Sequence, residues 1–365
     1  MHFSFFQSNP GIGPVTNNNF KFSRELARLG HTVDLIGTEV QDSTWKHAPE
    51  SIRVLSLKSR TSFGSIAPLV EYLKKEQPDY LLPSGAPLHI VSAVAKAVSR
   101  SKVKIYTRTH IQTTEYMKER GYLNRQMLRL LLRLTRNFAD GHLAASRGAA
   151  DDLSRVIGLP LDRVKVLYNP PIDDDLLALS HQDVIHHWIN NRNAPVLVCV
   201  ARLEEQKGLD TLIEAVKLVS ETREVRLIIL GEGQLRRSLS EKAVKLGVQH
   251  IIDFHGHVDN PFAFLRKADL FVLSANYEGF ANVVAEALVC GCPVVSTDAP
   301  SGPREILADG EFGTLVPIKN PNAMCTAILA ALETSHNRNQ LAERGMRFHV
   351  RRVTADLLTL LKCPS

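Results

Sequence analysis

From its first residues the chain alternates short apolar runs with stretches that carry apolar side chains on one helical face. In the first half the runs are Phe3 to Phe6, Thr32 to Gly37, Ile52 to Leu57, Tyr80 to Leu82, Lys104 to Arg108, Gly141 to Ala145 and Val164 to Tyr168. Runs of this length, rich in branched and aromatic residues, predict buried strands, and amphipathic segments such as Asn18 to Leu29 and Ile66 to Glu76 predict the helices between them. Strand and helix in alternation give a parallel sheet with both faces covered. The second half restarts the rhythm, with strands expected at Val196 to Ala201, Arg226 to Leu230, Ile251 to His255, Leu270 to Ser274, Pro293 to Thr297 and Thr314 to Val316. Helices fit Leu209 to Ser220, Gln234 to Leu246, Phe262 to Lys267, Asn282 to Cys290 and Ala323 to Leu332. Two consecutive doubly wound α/β units follow.

A length of 365 residues agrees with two domains, because one core seldom organises so long a chain. The polar stretch 173–194, with His186-His187 and Asn190-Asn191, predicts the connection between a Rossmann-like domain at 1–172 and a second at 195–347. Residues 348–365 form a final helix expected to return to the first domain. A net charge of +6, from 44 basic against 38 acidic residues, is too dilute to indicate nucleic acid. Five cysteines without framework spacing indicate reduced thiols and a cytoplasmic protein. Cys290-Gly291-Cys292 lacks a second ligand pair, so no metal site is expected. No window reaches the roughly 18 uninterrupted apolar residues of a membrane span.

Open parallel sheets bind ligands where loops and helix starts converge at the carboxyl ends of the strands. Arg202 and Lys207 lie on such a loop and offer a planar fork and a compact charge, which suit a diphosphate or equally two solvated surface charges. Glu278 to Glu286 follows another strand. Asn282 is read as a helix N-cap, with Glu278 in the loop and Glu286 in the second turn. First-turn amides favour an anion, and carboxylates on either side suit sugar hydroxyls. Gly302 and Pro303 bring a third loop close, and Gly231-Glu232-Gly233 lets backbone approach a flat base. In the first half, Gly11-Ile12-Gly13-Pro14 is a glycine-rich loop without dinucleotide spacing, and His110 follows a strand at the same edge.

This ordered set resembles the family 4 retaining glycosyltransferases of the GT-B fold, two Rossmann-like domains facing a central cleft. The resemblance covers nearly the whole chain: Gly30-His31, His110, Ser146, Asn169 with Asp173, Arg202 with Lys207-Gly208, Gly231 to Gly233, Gly256, Glu278 to Glu286 and Gly291-Cys292-Pro293. It implies that Arg202 and Lys207 grip the donor diphosphate and that Glu286 binds the ribose. Glu278 and the backbone of Gly279, Phe280, Ala281, Asn282 and Val283 would hold the transferred sugar, which His110 approaches from the other domain. Gly11 and Gly13 would close near the phosphates, and Gly231 and Gly233 would flank the base. Two departures are Asn169-Pro170-Pro171, where the family has Asn-Gly, and Ile12 between the first glycines.

Asn169-Pro170 and Ser301 to Glu305 resemble the bacterial subset that builds lipopolysaccharide, other surface polysaccharides and lipid-linked glycans. The implied reaction moves a hexose or N-acetylhexosamine, with retention and without a metal or other cofactor, from a UDP-sugar to a glycan or lipid-linked acceptor. A nucleotide-sugar epimerase and a non-catalytic sensor are the alternatives. Arg125, Arg129, Arg133 and Arg136 recur at helical spacing beside Met127, Leu128, Leu130, Leu131 and Leu134. That stripe reads either as a core helix with a solvated arginine face or as a peripheral contact with the inner, anionic face of the cytoplasmic membrane.

Overall fold

The computed structural model describes residues 1–8, 13–40, 51–118 and 121–362. They divide into two compact units, residues 1–170 with 350–365, and residues 171–349. Each contains one parallel sheet wound on both faces.

In the first unit the strands are β1 (His2–Gln7), β2 (Thr32–Gly37), β3 (Ile52–Ser56), β4 (Tyr80–Ser84), β5 (Lys104–Thr109), β6 (Gly141–Ala144) and β7 (Val164–Val166). Their order across the sheet is β3-β2-β1-β4-β5-β6-β7, every pair parallel. The helices are α1 (Pro14–Arg28), α2 (Ile66–Glu76), α3 (Ala86–Ser99), α4 (Thr113–Lys118), α5 (Tyr122–Thr135) and α6 (Arg147–Ile157). Successive side chains of a strand point to opposite faces. Thus Phe3 and Phe5 join Phe22 and Leu26 of α1 on one face, while Phe6 joins Leu69 and Leu73 of α2 on the other. The pattern of expected strands holds to within two residues at each end. Helix α1 starts four residues before the expected Asn18, because Pro14 occupies its first turn, where a missing amide proton costs nothing.

In the second unit α7 (Asp174–Ser180) and α8 (His187–Asn190) precede β8 (Val196–Val200), α9 (Leu209–Ser220), β9 (Arg226–Leu230), α10 (Arg236–Lys245), β10 (Ile252–Gly256) and α11 (Pro261–Lys267). Then come β11 (Leu270–Leu273), α12 (Asn282–Val289), β12 (Val294–Thr297), α13 (Pro303–Ile306), β13 (Thr314–Val316), α14 (Pro321–Glu333) and α15 (Arg338–Met346). The sheet order is β10-β9-β8-β11-β12-β13, so the order of winding reverses between β8 and β11, the switch point where ligands collect in open α/β sheets. Leu197, Cys199, Leu227 and Ile229 pack against Leu212 and Val216 of α9. The last helix, α16 (Val350–Leu360), crosses back and buries Val353, Leu357 and Leu358 beside α1 in the core of the first unit. No helix among the described residues is long and apolar enough to cross a membrane.

Candidate active site

At the switch point the loop after β8 is laced to the loop after β11. Ser274 Oγ donates to the Lys207 carbonyl (2.8 Å), the Asn276 amide donates to the Gln206 carbonyl (2.8 Å), and Asn276 Nδ2 donates to the Glu205 carbonyl (2.7 Å). Gln206 Nε2 returns a bond to the Tyr277 carbonyl (3.0 Å). This approach depends on Gly208, which sits at φ +57° where a Cβ would stand 2.3 Å from the Ser274 carbonyl oxygen. The lacing delivers Lys207 Nζ to Glu278 Oε1 at 2.6 Å, with both side chains largely buried. A charged pair so placed is held in one geometry, because separating it leaves a charge in a poorly solvated spot.

Beyond Glu278 the chain enters α12. Ala281, not Asn282, is the N-cap. Its φ of +61° turns the chain into the helix, and Asn282 is the first helical residue. The N-cap side chain is therefore a methyl and makes no capping hydrogen bond. An uncapped helix start carries partial positive charge and suits an anion. Glu286, half-buried, lies in the second turn. Phe280 is buried edge-on against Phe348, with ring centroids 5.3 Å apart, so only the backbone of Gly279 to Ala281 is left to face a ligand. Val283 is half-buried in the first turn. The third loop closes on this segment: the Glu278 amide donates to the Pro300 carbonyl (3.2 Å), and a Cβ on Gly302 would stand 2.4 Å from the Phe280 carbonyl oxygen.

Arg202 is not part of the Lys207–Glu278 contact. Its side chain is exposed and pairs with Glu204 Oε1 at 3.0 Å. Gly231 and Gly233 press against the neighbouring loop, where Cβ atoms would lie 2.0 Å from the Ala201 carbonyl and 2.4 Å from the Leu203 carbonyl. Close packing of backbone on backbone thus already requires both glycines. The one group among the described residues with metal-ligand chemistry is His186, Asp253 and His255, where both rings lie 3.0 Å from Asp253 Oδ2. His186 Nδ1 accepts the Trp188 amide, so Nε2 carries the proton it gives to Asp253, and the contact is a hydrogen-bonded clasp between the segment before α8 and β10.

In the first unit the carboxyl ends of β1, β4 and β5 open on a cavity of about 440 Å³. Val15, Leu88, Ile111 and Tyr116 form apolar wall, and Ser84 and His110 are polar points on it. Burial and the Arg108 charge hold the His110 imidazole well below its ordinary pKa, so the ring is neutral. Gly13 is the N-cap of α1 and borders the cavity. Gly11 lies outside the described residues. On α5 the arginines do not form the outward face: Arg133 Nε donates to the Val156 carbonyl (3.0 Å), and Arg136 Nη1 donates to the Ile157 and Gly158 carbonyls at the end of α6. Leu123, Met127, Leu130 and Leu134 turn outward instead, 53 to 80% exposed.

Residues 18–175 match the family described as Glycosyltransferase Family 4, and residues 184–348 match Glycosyl transferases group 1. The chain belongs to the family 4 glycosyltransferases. Among the relatives of this glycosyltransferase, a Campylobacter jejuni N-acetylgalactosamine-N,N'-diacetylbacillosaminyl-diphospho-undecaprenol 4-alpha-N-acetylgalactosaminyltransferase is 29% identical over 68% of this chain and 67% of its own. The lipopolysaccharide core biosynthesis glycosyltransferase LpsE of Rhizobium meliloti is 36% identical, over 46% of this chain and only 48% of that one. Anabaena HepE in complex with UDP superposes with a TM-score of 0.82 at 19% identity, covering 99% of this chain and 100% of its own, which establishes the GT-B architecture.

In this glycosyltransferase, then, Lys207, Glu278 and the start of α12 come together with the loop of Gly279 to Ala281, whereas Arg202 faces solvent on its own ion pair. Sequence reading missed Gln206, Ser274 and Asn276, which hold the loops in place. Their signal is faint, being only small polar residues at strand ends. It also missed Arg108, a buried cation near the carboxyl end of β5.

Proposed function

We propose that this glycosyltransferase moves a hexose or N-acetylhexosamine from a UDP-sugar to a lipid-linked glycan, with retention at the anomeric carbon and without a metal. The observation that carries this reading is the Lys207–Glu278 pair beside an uncapped helix start, with Glu286 farther along the same helix. A nucleoside diphosphate matches that order: its phosphates meet Lys207 and the α12 amides, its ribose hydroxyls meet Glu286, and its sugar meets Glu278. Arg202 joins the phosphates by exchanging Glu204 for the stronger, doubly anionic partner.

Glu278 is already bonded to Lys207, which suits it to accept sugar hydroxyls rather than to attack carbon. In the step we assign, the bond from the anomeric carbon to the diphosphate oxygen breaks. The acceptor oxygen bonds that carbon on the same face, and its proton passes to the departing phosphate oxygen. Catalysis then rests on positioning and on charge stabilisation by Lys207 and the α12 dipole. The UDP donor is supported by the UDP complex of HepE, and the lipid-linked acceptor by the undecaprenol-diphosphate substrates named for the Campylobacter transferase.

We assign the neutral cavity of the first unit to the acceptor and the outward leucines of α5 to the inner face of the cytoplasmic membrane. The exposed apolar stripe of Leu123, Met127, Leu130 and Leu134 fits a lipid surface. The test is nucleotide release from UDP-, GDP- and ADP-sugars, with and without a polyprenyl-diphosphate-linked glycan. Acceptor-dependent release of UDP, with the α-linked product, supports the assignment. Conversion of the sugar without acceptor makes the protein an epimerase, and binding without release makes it a sensor.

A further inference from the structure

Arg108 is 2% exposed, yet it meets no carboxylate among the described residues. Its charge is met by the face of Phe22, 4.7 Å from the ring centre, and by Asn19 Oδ1, 2.6 Å from Nη1. A buried cation without an anion is costly, and here burial lowers the guanidinium pKa to about 9. Its hydrogen bonds show what this charge acts on.

A guanidinium only donates. Facing Arg108, Asn19 must present its carbonyl oxygen, which turns its amide nitrogen the other way. That nitrogen donates to Gln7 Oε1 (2.7 Å) and to Ser84 Oγ (3.4 Å). Gln7, with its oxygen so occupied, donates through Nε2 to Thr16 Oγ1 (3.3 Å). Ser84, whose oxygen now accepts, has its hydroxyl proton left to give, and the ring nitrogen beside it is His110 Nε2 at 3.2 Å. Where that proton goes to His110, the ring accepts at Nε2 and carries its own proton on Nδ1, the side on which Asn169 stands. One donor-only side chain thus orients the Asn19 and Gln7 amides on α1 and β1, and through Ser84 it reaches His110 in the loop after β5.

We propose that Arg108 is a positioning residue that fixes His110 as the Nδ1-protonated tautomer through Asn19 and Ser84. The proposal rests on the reading of His110 as a substrate-facing group, but the tautomer can be measured apart from turnover. Asn19→Asp inverts the relay while keeping Arg108 paired. A carboxylate has no proton for Ser84, so the serine hydroxyl turns toward Asp at this position, and its oxygen then accepts from His110 Nε2–H.

The experiment is nitrogen-15 NMR of the full chain labelled at histidine, with His110 assigned by its absence in His110→Gln. The wild-type protein should show a protonated Nδ1, and Asn19→Asp a protonated Nε2. Turnover with the UDP-sugar should fall about tenfold in kcat, the scale of outer-shell changes elsewhere, at unchanged donor KM. A protonated Nε2 in the wild-type protein overturns the proposal, as does the same tautomer in both proteins or a switched tautomer with unchanged kcat. If no nucleotide sugar turns over at all, the functional reading fails while the tautomer still decides the relay.

Discussion

Gly208 is where the geometry of the donor seat can be probed with a single methyl group. It adopts φ +57°, and a Cβ there would lie 2.3 Å from the Ser274 carbonyl oxygen and 3.4 Å from Asn276 Oδ1. Gly208→Ala therefore costs about 1 kcal/mol for the left-handed backbone alone. The methyl must also push the two loops roughly 1 Å apart to reach ordinary contact. Four hydrogen bonds cross that junction, donated by Ser274, Asn276 (two) and Gln206, and weakening most of them adds about 2 to 4 kcal/mol at roughly 1 kcal/mol each. Gly247 supplies the control, with φ +73° and nothing within 4 Å of its would-be Cβ, so Gly247→Ala costs only the backbone term of about 1 kcal/mol. Guanidinium unfolding of both variants, beside UDP affinity, reads the difference. Gly208→Ala should lose about 3 to 5 kcal/mol in total and at least tenfold in UDP affinity, against about 1 kcal/mol and no change for Gly247→Ala. Equal losses in the two variants would refute the claim that close approach of the loops builds the seat.

Lys207→Gln should keep the fold while reducing kcat by about a hundredfold, the scale for losing one group that stabilises developing charge, as read by UDP release. His89 and His142, whose pKa values burial lowers to about 3 and about 4, are neutral in the folded protein. Because the unfolded chain protonates both near pH 6.5, their stability contribution is intact above that pH. It falls by about 1.4 kcal/mol per pH unit for each ring between roughly pH 6.5 and 4, a slope that unfolding at pH 7, 6 and 5 measures. Leu130→Glu with Leu134→Glu should abolish sedimentation with vesicles containing anionic lipid and leave the unfolding midpoint unchanged. Retained vesicle binding would remove α5 as the contact.

Much of the fold is legible because period and punctuation agree. Thr32–Gly37, Arg226–Leu230, Ile66–Glu76 and Leu209–Ser220 end where their apolar periods end. The start of α1 was obscured because the asparagine run at 17–19 reads as a cap, whereas Pro14 already fixes the helical backbone. Asn282 misleads for a related reason: it is a good N-cap residue, but Ala281 takes the left-handed turn into the helix, beside the Gly302 loop packed on Phe280. The candidate chemistry at Lys207 and Glu278 was visible as residue types at strand ends. That the two touch was not, since the bonds lacing their loops join residues about 70 positions apart in the chain. Arg133 and Arg136 looked like a solvated face because helical spacing alone does not reveal the unpaired carbonyls at the end of α6 that bind them.

The central claim is that α12 seats a nucleoside diphosphate with Glu286 on its ribose, and UDP titration of Glu286→Ala against the wild-type protein by calorimetry tests it most directly. Loss of two hydrogen bonds to a carboxylate predicts at least a tenfold weaker Kd for UDP, about 1.4 kcal/mol or more. Wild-type UDP affinity in Glu286→Ala, or no UDP binding by the wild-type protein, would contradict the account.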